Sequence, residues 1–515
     1  MPVFVGCDLG TMGSKAAVVA DDGTILGEAY EEVALQRPRA GWVEQDPIEI
    51  EASAHRVIRR ALEAAGGACK VAGVAFSGQM SGIGTIDRDF APATHYDSWL
   101  DTRCEPYIAQ MAEHADRVVE LAGCPPTYCH GPKILWWRHE RPETYARICR
   151  FLPIGSFVAG RIAGLDVEQA FMDRSYLHFS NLADTAAGTW AAELLDAFDV
   201  DPARLPRLVD STDVVGEVTP AAAEATGLPP GTPVAAGAGD TAASALGAAV
   251  VRAGRAFDAA GTASVLAICV DGFHPDRLAH TLMATRGVVP GTFVNLAFIN
   301  GGGLALRWFR DELGGDLGSE SDAYARLDEL AAAVPPGSEG LLWFPHLQGR
   351  VLPPMPHARG SWVGLTSRHG RGHLFRAVLE GIAYEYAEWA RLAAAAGAGS
   401  LHEARALGGG AASGLWNQIK ADVLGIDWVP MRKQECGVLG DALIAAAATG
   451  HVGDLAATAE AWQETGAPVH PDRRRHHTYA RFRAAHRELA LALPPVFDRL
   501  AEASSGADGA GPEED

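Results

Sequence analysis

Three short segments of this chain bring glycine, threonine and aspartate together where a polypeptide turns, and each could handle a phosphate. Asp8-Leu9-Gly10-Thr11 follows the apolar run Val3 to Cys7 and leads into Ala16 to Val19 and an Asp22-Gly23 turn. Ala260-Gly261-Thr262-Ala263-Ser264 follows Ala256 to Ala259 and leads into Val265 to Val270 and Asp271-Gly272. Glycine lets backbone N–H groups approach an anion, threonine adds a hydroxyl donor, and Asp-Gly suits a tight hairpin. One such loop alone is an ordinary β-turn. Two of them, roughly 250 residues apart, read as one phosphate-gripping device repeated in a duplicated α/β fold.

The third segment, Gly237-Ala238-Gly239-Asp240-Thr241-Ala242, follows an apolar strand and opens a helix, so it formally matches a dinucleotide fingerprint. Asp240 spoils the match, because a carboxylate in that turn would repel a pyrophosphate on the same amides. Two readings of Asp240 stay open. It caps the helix, where aspartate is favoured and its charge suits the dipole, or it is an uncommitted base that orients an alcohol and takes its proton during phosphoryl transfer. The chain has no Gly-Lys pair and therefore no P-loop, and HExxH, GxSxG and EF-hand patterns are absent too. Phosphate chemistry here must run through glycine-threonine loops and carboxylates.

Loops of this kind need strands beneath them, and the periodicity supplies these. Residues 1 to 35 predict a three-strand meander, Pro47 to Ala65 a helix through Ile50, Ala54, Val57, Ile58 and Leu62, and Val71 to Phe76 a buried strand ending in Ser77-Gly78-Gln79-Met80-Ser81-Gly82. Helices fill 104 to 163, Val234 to Gly239 is a strand, and Thr241 to Val250 a helix of small residues. In the second half a long helix is expected over 372 to 396, then a strand ending in Gly408-Gly409-Gly410 and a helix from Ser413 to Leu424. The domain boundary is placed at Arg252-Ala253, giving 1–252 and 253–495. The small, acidic segment 501–515 is expected to be a disordered tail.

With 515 residues, 48% of them hydrophobic, the chain can bury two large cores. A formal net charge of −21 argues against nucleic acid or an anionic membrane as partner. The eight scattered cysteines form no CxxC pair, and no stretch of eighteen apolar residues occurs. A soluble cytoplasmic protein is the expectation.

Taken in order, these motifs resemble the FGGY family of carbohydrate kinases, in its xylulokinase-like branch. The likeness runs over residues 1 to 450 and is carried by Asp8-Leu9-Gly10-Thr11, Gly41-Trp42-Val43-Glu44-Gln45-Asp46-Pro47, Ser77-Gly78-Gln79-Met80, Trp99-Leu100-Asp101-Thr102-Arg103, Pro132-Lys133-Ile134-Leu135-Trp136, the Gly237–Asp240 loop, Gly261-Thr262 and Gly408–Trp416. The resemblance implies two actin-like (RNase H-like) α/β domains flanking a cleft in which ATP phosphorylates a hydroxyl of a small-molecule sugar, a ketopentose such as D-xylulose first, and possible homodimers.

By the same resemblance Asp240 is the catalytic base and Asp8 places Mg²⁺ through its water shell. Gly10, Thr11, Lys15, Gly261 and Thr262 contact phosphates, and Gly408, Gly409, Gly410 and Ala411 line the adenosine pocket. Gln79, Met80, Ser81, Trp99 and Asp101 line the sugar pocket. Ser81 departs from the xylulokinase Gln-Met-His-Gly pattern, and polyol kinases place Arg-Glu at Met80-Ser81, which disfavours glycerol. Other pentuloses, hexuloses, tetritols and sugar acids stay open, as does an actin-like ATPase with no sugar substrate. Trp136-Trp137 is read as a packing pair and His346 as structural.

Overall fold

The computed structural model describes residues 2–67 and 70–507, with side chains through residue 504. The chain forms two compact units: one of residues 1–253, 269–295 and 435–464, the other of 254–268, 296–434 and 465–515. The units are thus interleaved, not consecutive as a single boundary at 252–253 implies. Segment 435–464 joins the first unit because its helix Cys436–Ala448 covers a sheet face that the amino-terminal residues leave apolar.

In the first unit, β1 (Val3–Leu9), β2 (Gly13–Ala20) and β3 (Ile25–Glu32) form the expected meander. They are joined by β4 (Val71–Gly78), β5 (Val214–Glu217), β6 (Pro233–Ala235) and β7 (Ala238–Gly239). The sheet runs β5-β6-β4-β1-β2-β3, with β7 pairing β4. Side chains alternate along a strand, so β1 sends its residues to two layers. Val3, Val5, Cys7 and Leu9 pack with Ile50, Val57 and Ile58 of the helix Pro47–Ala64. Phe4 packs on the opposite layer with Val438, Leu439 and Ala442 of the helix Cys436–Ala448. Gly6 lies between them in the same register, where a Cβ would stand 2.1 Å from the Val438 carbonyl oxygen. Asp8 shares that parity, and its carboxylate is therefore directed to the same helix.

The second unit repeats the opening. β8 (Arg255–Ala260) pairs antiparallel with β9 (Ser264–Val270) and parallel with β10 (Glu403–Leu407), which pairs parallel with β11 (Asp427–Pro430). In the first unit β1 likewise pairs antiparallel with β2 and parallel with β4. Behind β8 a buried ion pair joins Asp258 to Lys420; Tyr386 donates to the same carboxylate at 2.6 Å, and the ammonium lies 3.5 Å from the Trp416 ring centroid. The long helix is Arg371–Ala395, and the one after the glycine run is Gly414–Leu424.

The helix Pro494–Ala507 runs through the first residues of the segment expected to be a disordered tail. Phe497 anchors that helix against Phe344 and Ala358, and elongating an anchored helix costs little. Residues 508–515 lie outside the described residues.

Candidate active site

Three parallel-paired strands end together in the first unit. Asp8 stands opposite Ser77 across β1 and β4, and Ala238 opposite the same Ser77 across β4 and β7, so Leu9, Gly78 and Gly239 come level. The carboxyl ends of parallel strands are where α/β sheets bind ligands. Asp240 follows directly, as the first residue of the helix Asp240–Gly247, with Gly239 in the N-cap position. Asp240 thus sits one position past the N-cap, and its Oδ1 still accepts from the first turn, from Thr241 N at 2.5 Å and from Thr241 Oγ1 at 3.1 Å. Its Oδ2 has no hydrogen-bond partner among the described residues.

Only glycine fits the turn before it. Gly237 has φ +75°, and a Cβ there would stand 1.8 Å from the Phe76 carbonyl oxygen. A Cβ on Gly239 would strike the Met80 methyl at 2.4 Å, so Met80 acts as the wall on which the Asp240 turn rests.

Electrostatics set this corner apart. Burial raises the Asp240 carboxyl to about 7, with the charge of Asp8 adding to the effect. Asp8 is itself raised, mainly by burial, while a hydrogen bond from Ser77 at 3.3 Å pulls the other way. Asp441, on the helix Cys436–Ala448, is raised well above the usual range by burial and then by Asp8. Its Oδ2 accepts from Ser77 Oγ at 2.7 Å, and its buried Oδ1 has no partner. Acidic groups held close in a low-dielectric site are costly, and such sites are candidates for function. Asp441 is missed by sequence reasoning; the Gly440-Asp441 dipeptide in an otherwise apolar helix is the signal that could have found it.

A polar network borders the carboxylates. Trp99 Nε1 donates to Thr11 Oγ1 at 2.7 Å, Thr11 Oγ1 lies 3.4 Å from Gln79 Oε1, and Gln79 Nε2 donates to Gln45 Oε1 at 2.7 Å. Gln45 in turn donates to the Thr11 carbonyl at 3.1 Å. Thr11, expected as a phosphate contact, therefore has its hydroxyl committed to Trp99 and Gln79, because it sits where the Gln79 loop closes over the hairpin. Gly10 lies in the same turn, and Lys15, opposite Asp8 across β1 and β2, is paired with Glu435 at 2.5 Å.

Two expected sugar residues are engaged within the protein. Asp101 is fully buried and accepts from Val43 N at 2.6 Å and from the Arg103 guanidinium, and so fastens its own loop. Ser81 has φ +65° and donates to the Tyr128 carbonyl at 2.9 Å, which turns its hydroxyl away from Gln79. The Ser81 carbonyl is held instead by Lys133 Nζ, at 3.2 Å, and the same ammonium holds the Ser98 carbonyl at 2.6 Å. The tryptophan pair packs as expected, Trp136 and Trp137 buried with ring centroids 5.0 Å apart.

Behind Asp240 stands a second support that the sequence reading lacks. The buried Asp173 accepts from Ser175 and from Ser211 Oγ, and Ser175 Oγ accepts from Gly239 N at 2.8 Å. Next to it, Tyr176 Oη lies 3.0 Å from the Gly78 carbonyl and 3.2 Å from the Ala238 carbonyl, tying β4 to β7. Small hydroxyl residues far along the chain give no periodic signal, which is why this clamp is invisible in one dimension.

The second unit carries a different site. Gly261 and Thr262 are exposed, and a Cβ on Gly261 would meet nothing within 4 Å. Gly408 continues β10 with φ +75°, its N–H donating to Gln434 Oε1 at 2.8 Å, and its Cβ would stand 3.0 Å from the Ala260 carbonyl. Gly409 is open, Gly410 packs on Ala260 and Trp416, and the Ala411 carbonyl accepts from Asn417 at 2.8 Å. A third glycine run, Gly301-Gly302-Gly303, opens the helix Gly302–Leu313 against this loop, where a Cβ on Gly303 would lie 1.7 Å from the Gly261 carbonyl oxygen. Sequence reasoning misses that run, although three consecutive glycines at a helix start are a phosphate-binding signal.

Residues 3–247 match the N-terminal domain model of the FGGY family of carbohydrate kinases, and residues 259–449 match its C-terminal domain model. The chain is 28% identical over 487 residues to a xylulose kinase of Bacillus subtilis, covering 92% of this chain and 93% of that protein. It is 32% identical over 505 residues to a glycerol kinase of Aromatoleum aromaticum, covering 94% and 98%. The ligand-bound xylulose kinase structure from Lactobacillus acidophilus superposes with a TM-score of 0.88 at 22% identity, covering 97% of this chain and all of that one, and establishes the mixed α/β, actin-like two-domain fold. Among the described residues no helix is long and apolar enough to cross a membrane. With both domain models matched in order over most of its length, this chain belongs to the FGGY family of carbohydrate kinases.

Proposed function

We propose that the protein transfers the terminal phosphoryl group of ATP to a hydroxyl of a ketopentose such as D-xylulose. The observation that carries this reading is Asp240: a carboxylate poised near pH 7 at the end of parallel strands, one oxygen tied to Thr241 and the other without a partner. Such a group accepts a proton from an alcohol efficiently because its pKa lies near working pH. In this reading Oδ2 orients the sugar hydroxyl and takes its proton as the O–P bond forms. Gln79, fixed through Gln45, and Trp99, fixed through Thr11, supply the polar and apolar contacts to the sugar, while Asp101 and Lys133 hold their loops in place. Gly261, Thr262 and Gly408 to Ala411 receive the nucleotide.

Mg²⁺ fits the carboxylate corner through water. The carboxyls of Asp8 and Asp441 lie together, Asp441 Oδ1 without a partner, and a cation beside them would favour their ionised forms. Among the described residues no set of three or more His, Cys, Asp or Glu is spaced to hold an ion. Asp8 would therefore act on the hydrated ion, whose chemistry is to neutralise phosphoryl oxygens.

The xylulose kinase relative favours a ketopentose, and the lack of an Arg-Glu pair at Met80-Ser81 speaks against glycerol despite the glycerol kinase relative. A coupled ADP-release screen over pentuloses, hexuloses, tetritols and sugar acids tests the proposal. ADP production that depends on a ketopentose supports it; a better tetritol or sugar acid moves the substrate, and ATP hydrolysis indifferent to every sugar overturns it.

A further inference from the structure

Away from the carboxylate corner, the first unit has a cavity of about 430 Å³. Its walls include Arg150, Arg174, Arg207, Glu168, Gly188 and Trp190. None of these belongs to the Asp8–Asp240 group. The volume falls in the range of small-molecule sites.

The positive charge is concentrated by the fold. Strand Arg207–Val209 pairs parallel with strand Phe171–Asp173, which puts Arg207 opposite Phe171 at one end of the pair and Arg174 just past the other, both on the cavity wall. At Gly188, which has φ +73°, a Cβ would meet Arg174 Nε and an Arg286 nitrogen, each at 3.1 Å, so two guanidinium groups converge on one glycine. Arg286 bonds to the carbonyls of Thr185 and Ala186 and has no carboxylate partner among the described residues. Burial, followed by the charge of Arg174, lowers its pKa. Arg207 also lacks a carboxylate partner; its Nε donates to the Gln169 carbonyl at 3.1 Å. Arg150 and Arg174 pair with Glu168 and Asp210, whose side chains are 78% and 67% exposed. Exposed pairs of that kind are worth little and exchange readily for a better anion. In a chain of net charge −21, three arginines lining one cavity, with Arg286 beside its Gly188, run against the general composition.

We propose that this cavity is a binding site for a small phosphate-bearing anion, gripped by Arg174 and Arg207 and flanked by Trp190. Guanidinium groups match phosphate oxygens in geometry as well as charge. Inorganic phosphate and a phosphorylated metabolite share the chemistry that these arginines recognise.

Isothermal titration of the full chain with inorganic phosphate and with pyrophosphate, at constant ionic strength and without nucleotide, provides the test. We expect saturable binding that persists in Gly261→Val, where the nucleotide loop is blocked, and that weakens at least about tenfold in Arg207→Glu through charge reversal. Thr189→Glu, at an exposed position on the cavity wall, should weaken it likewise and gives a second variant if the first does not fold by circular dichroism. Tighter binding of pyrophosphate than of phosphate would favour a ligand with a second anionic group. Binding lost in Gly261→Val but unchanged in both glutamate variants would overturn the proposal, as would the absence of saturable binding in the wild type.

Discussion

Two aspartates on corresponding strands, Asp258 buried and Asp8 partly so, mark how the two halves of this molecule differ. Asp258, on β8, is neutralised by Lys420 and bonded by Tyr386. Asp8, on β1, shares its surroundings with Asp240 and Asp441, and each of the three is raised in pKa. The strand topology beneath the loops is the same in both. A stable core charge is a paired charge, whereas like charges kept together burden the fold and persist where chemistry uses them. Under the proposed function, the repeated loop is one backbone device with two tasks: a chemical one in the first unit and a gripping one in the second.

The largest test of that division is Asp240→Asn. An amide keeps the shape and the bond to Thr241 but cannot take a proton, so phosphoryl transfer should fall by about 10²–10⁴-fold with ATP binding intact. The wild-type pH profile gives the matching sign. Asp240 must be ionised to act, so kcat/KM for the sugar should be full above about 7 and decline as pH falls through it. Near wild-type turnover in the variant would erase the chemical role of the first unit.

Gly261→Val probes the gripping unit. Because a Cβ there meets only open space, the variant should fold normally, and any effect belongs to the ligand. Loss of one charge-assisted contact of about 1.5–3 kcal/mol should raise the ATP KM about 10- to 100-fold and leave the sugar KM unchanged. A sugar KM that rises with it would blur the distinction between the units.

Much of this comparison is legible in one dimension. The glycine-threonine loops, the meander and the Asp240 turn follow from apolar runs broken by glycine, and those signals are local. What the sequence hides is long-range: Asp441 reaches Asp8 from more than 400 residues away because Gly6 lets a helix lie flat on β1. Residue type also fails to report direction. Asp101 and Ser81 have the right chemistry for a sugar, yet one is spent on Arg103 and the other is turned to Tyr128 by its positive φ.

A smaller effect is expected from the charge surplus itself. Asp441 is raised in the folded state above its unfolded value of about 4, so the native protein holds that proton more tightly. The cost of ionising it is absent below pH ~4 and grows as pH rises. Asp441→Asn keeps an acceptor for Ser77 and removes that cost. Thermal melts should show a gain of a few degrees at pH 8, at about 2–4 °C per kcal/mol, and none near pH 4. An equal gain at both pH values would mean that packing, not charge, is the source.

The smallest expected change distinguishes the chemical loop from its surroundings. Ser81 sits beside Gln79, but its hydroxyl is occupied by the Tyr128 carbonyl and its backbone lies in the left-handed region. Ser81→Gly forfeits one hydrogen bond of about 1 kcal/mol and relieves a strain of about 1–2 kcal/mol, so the two effects nearly cancel. The fold is held there independently by Lys133, whose ammonium grips the Ser81 carbonyl that glycine retains. We therefore expect a melting temperature within a few degrees of wild type, and a sugar kcat/KM within about threefold, the size usual for substitutions outside a site. The alternative is that sugar binding turns the serine hydroxyl from Tyr128 toward the substrate. A site that bonds a sugar hydroxyl discriminates strongly against losing that bond. A tenfold or greater fall in kcat/KM, with unchanged ATP kinetics, would therefore make Ser81 a sugar contact and extend the chemical site past Gln79.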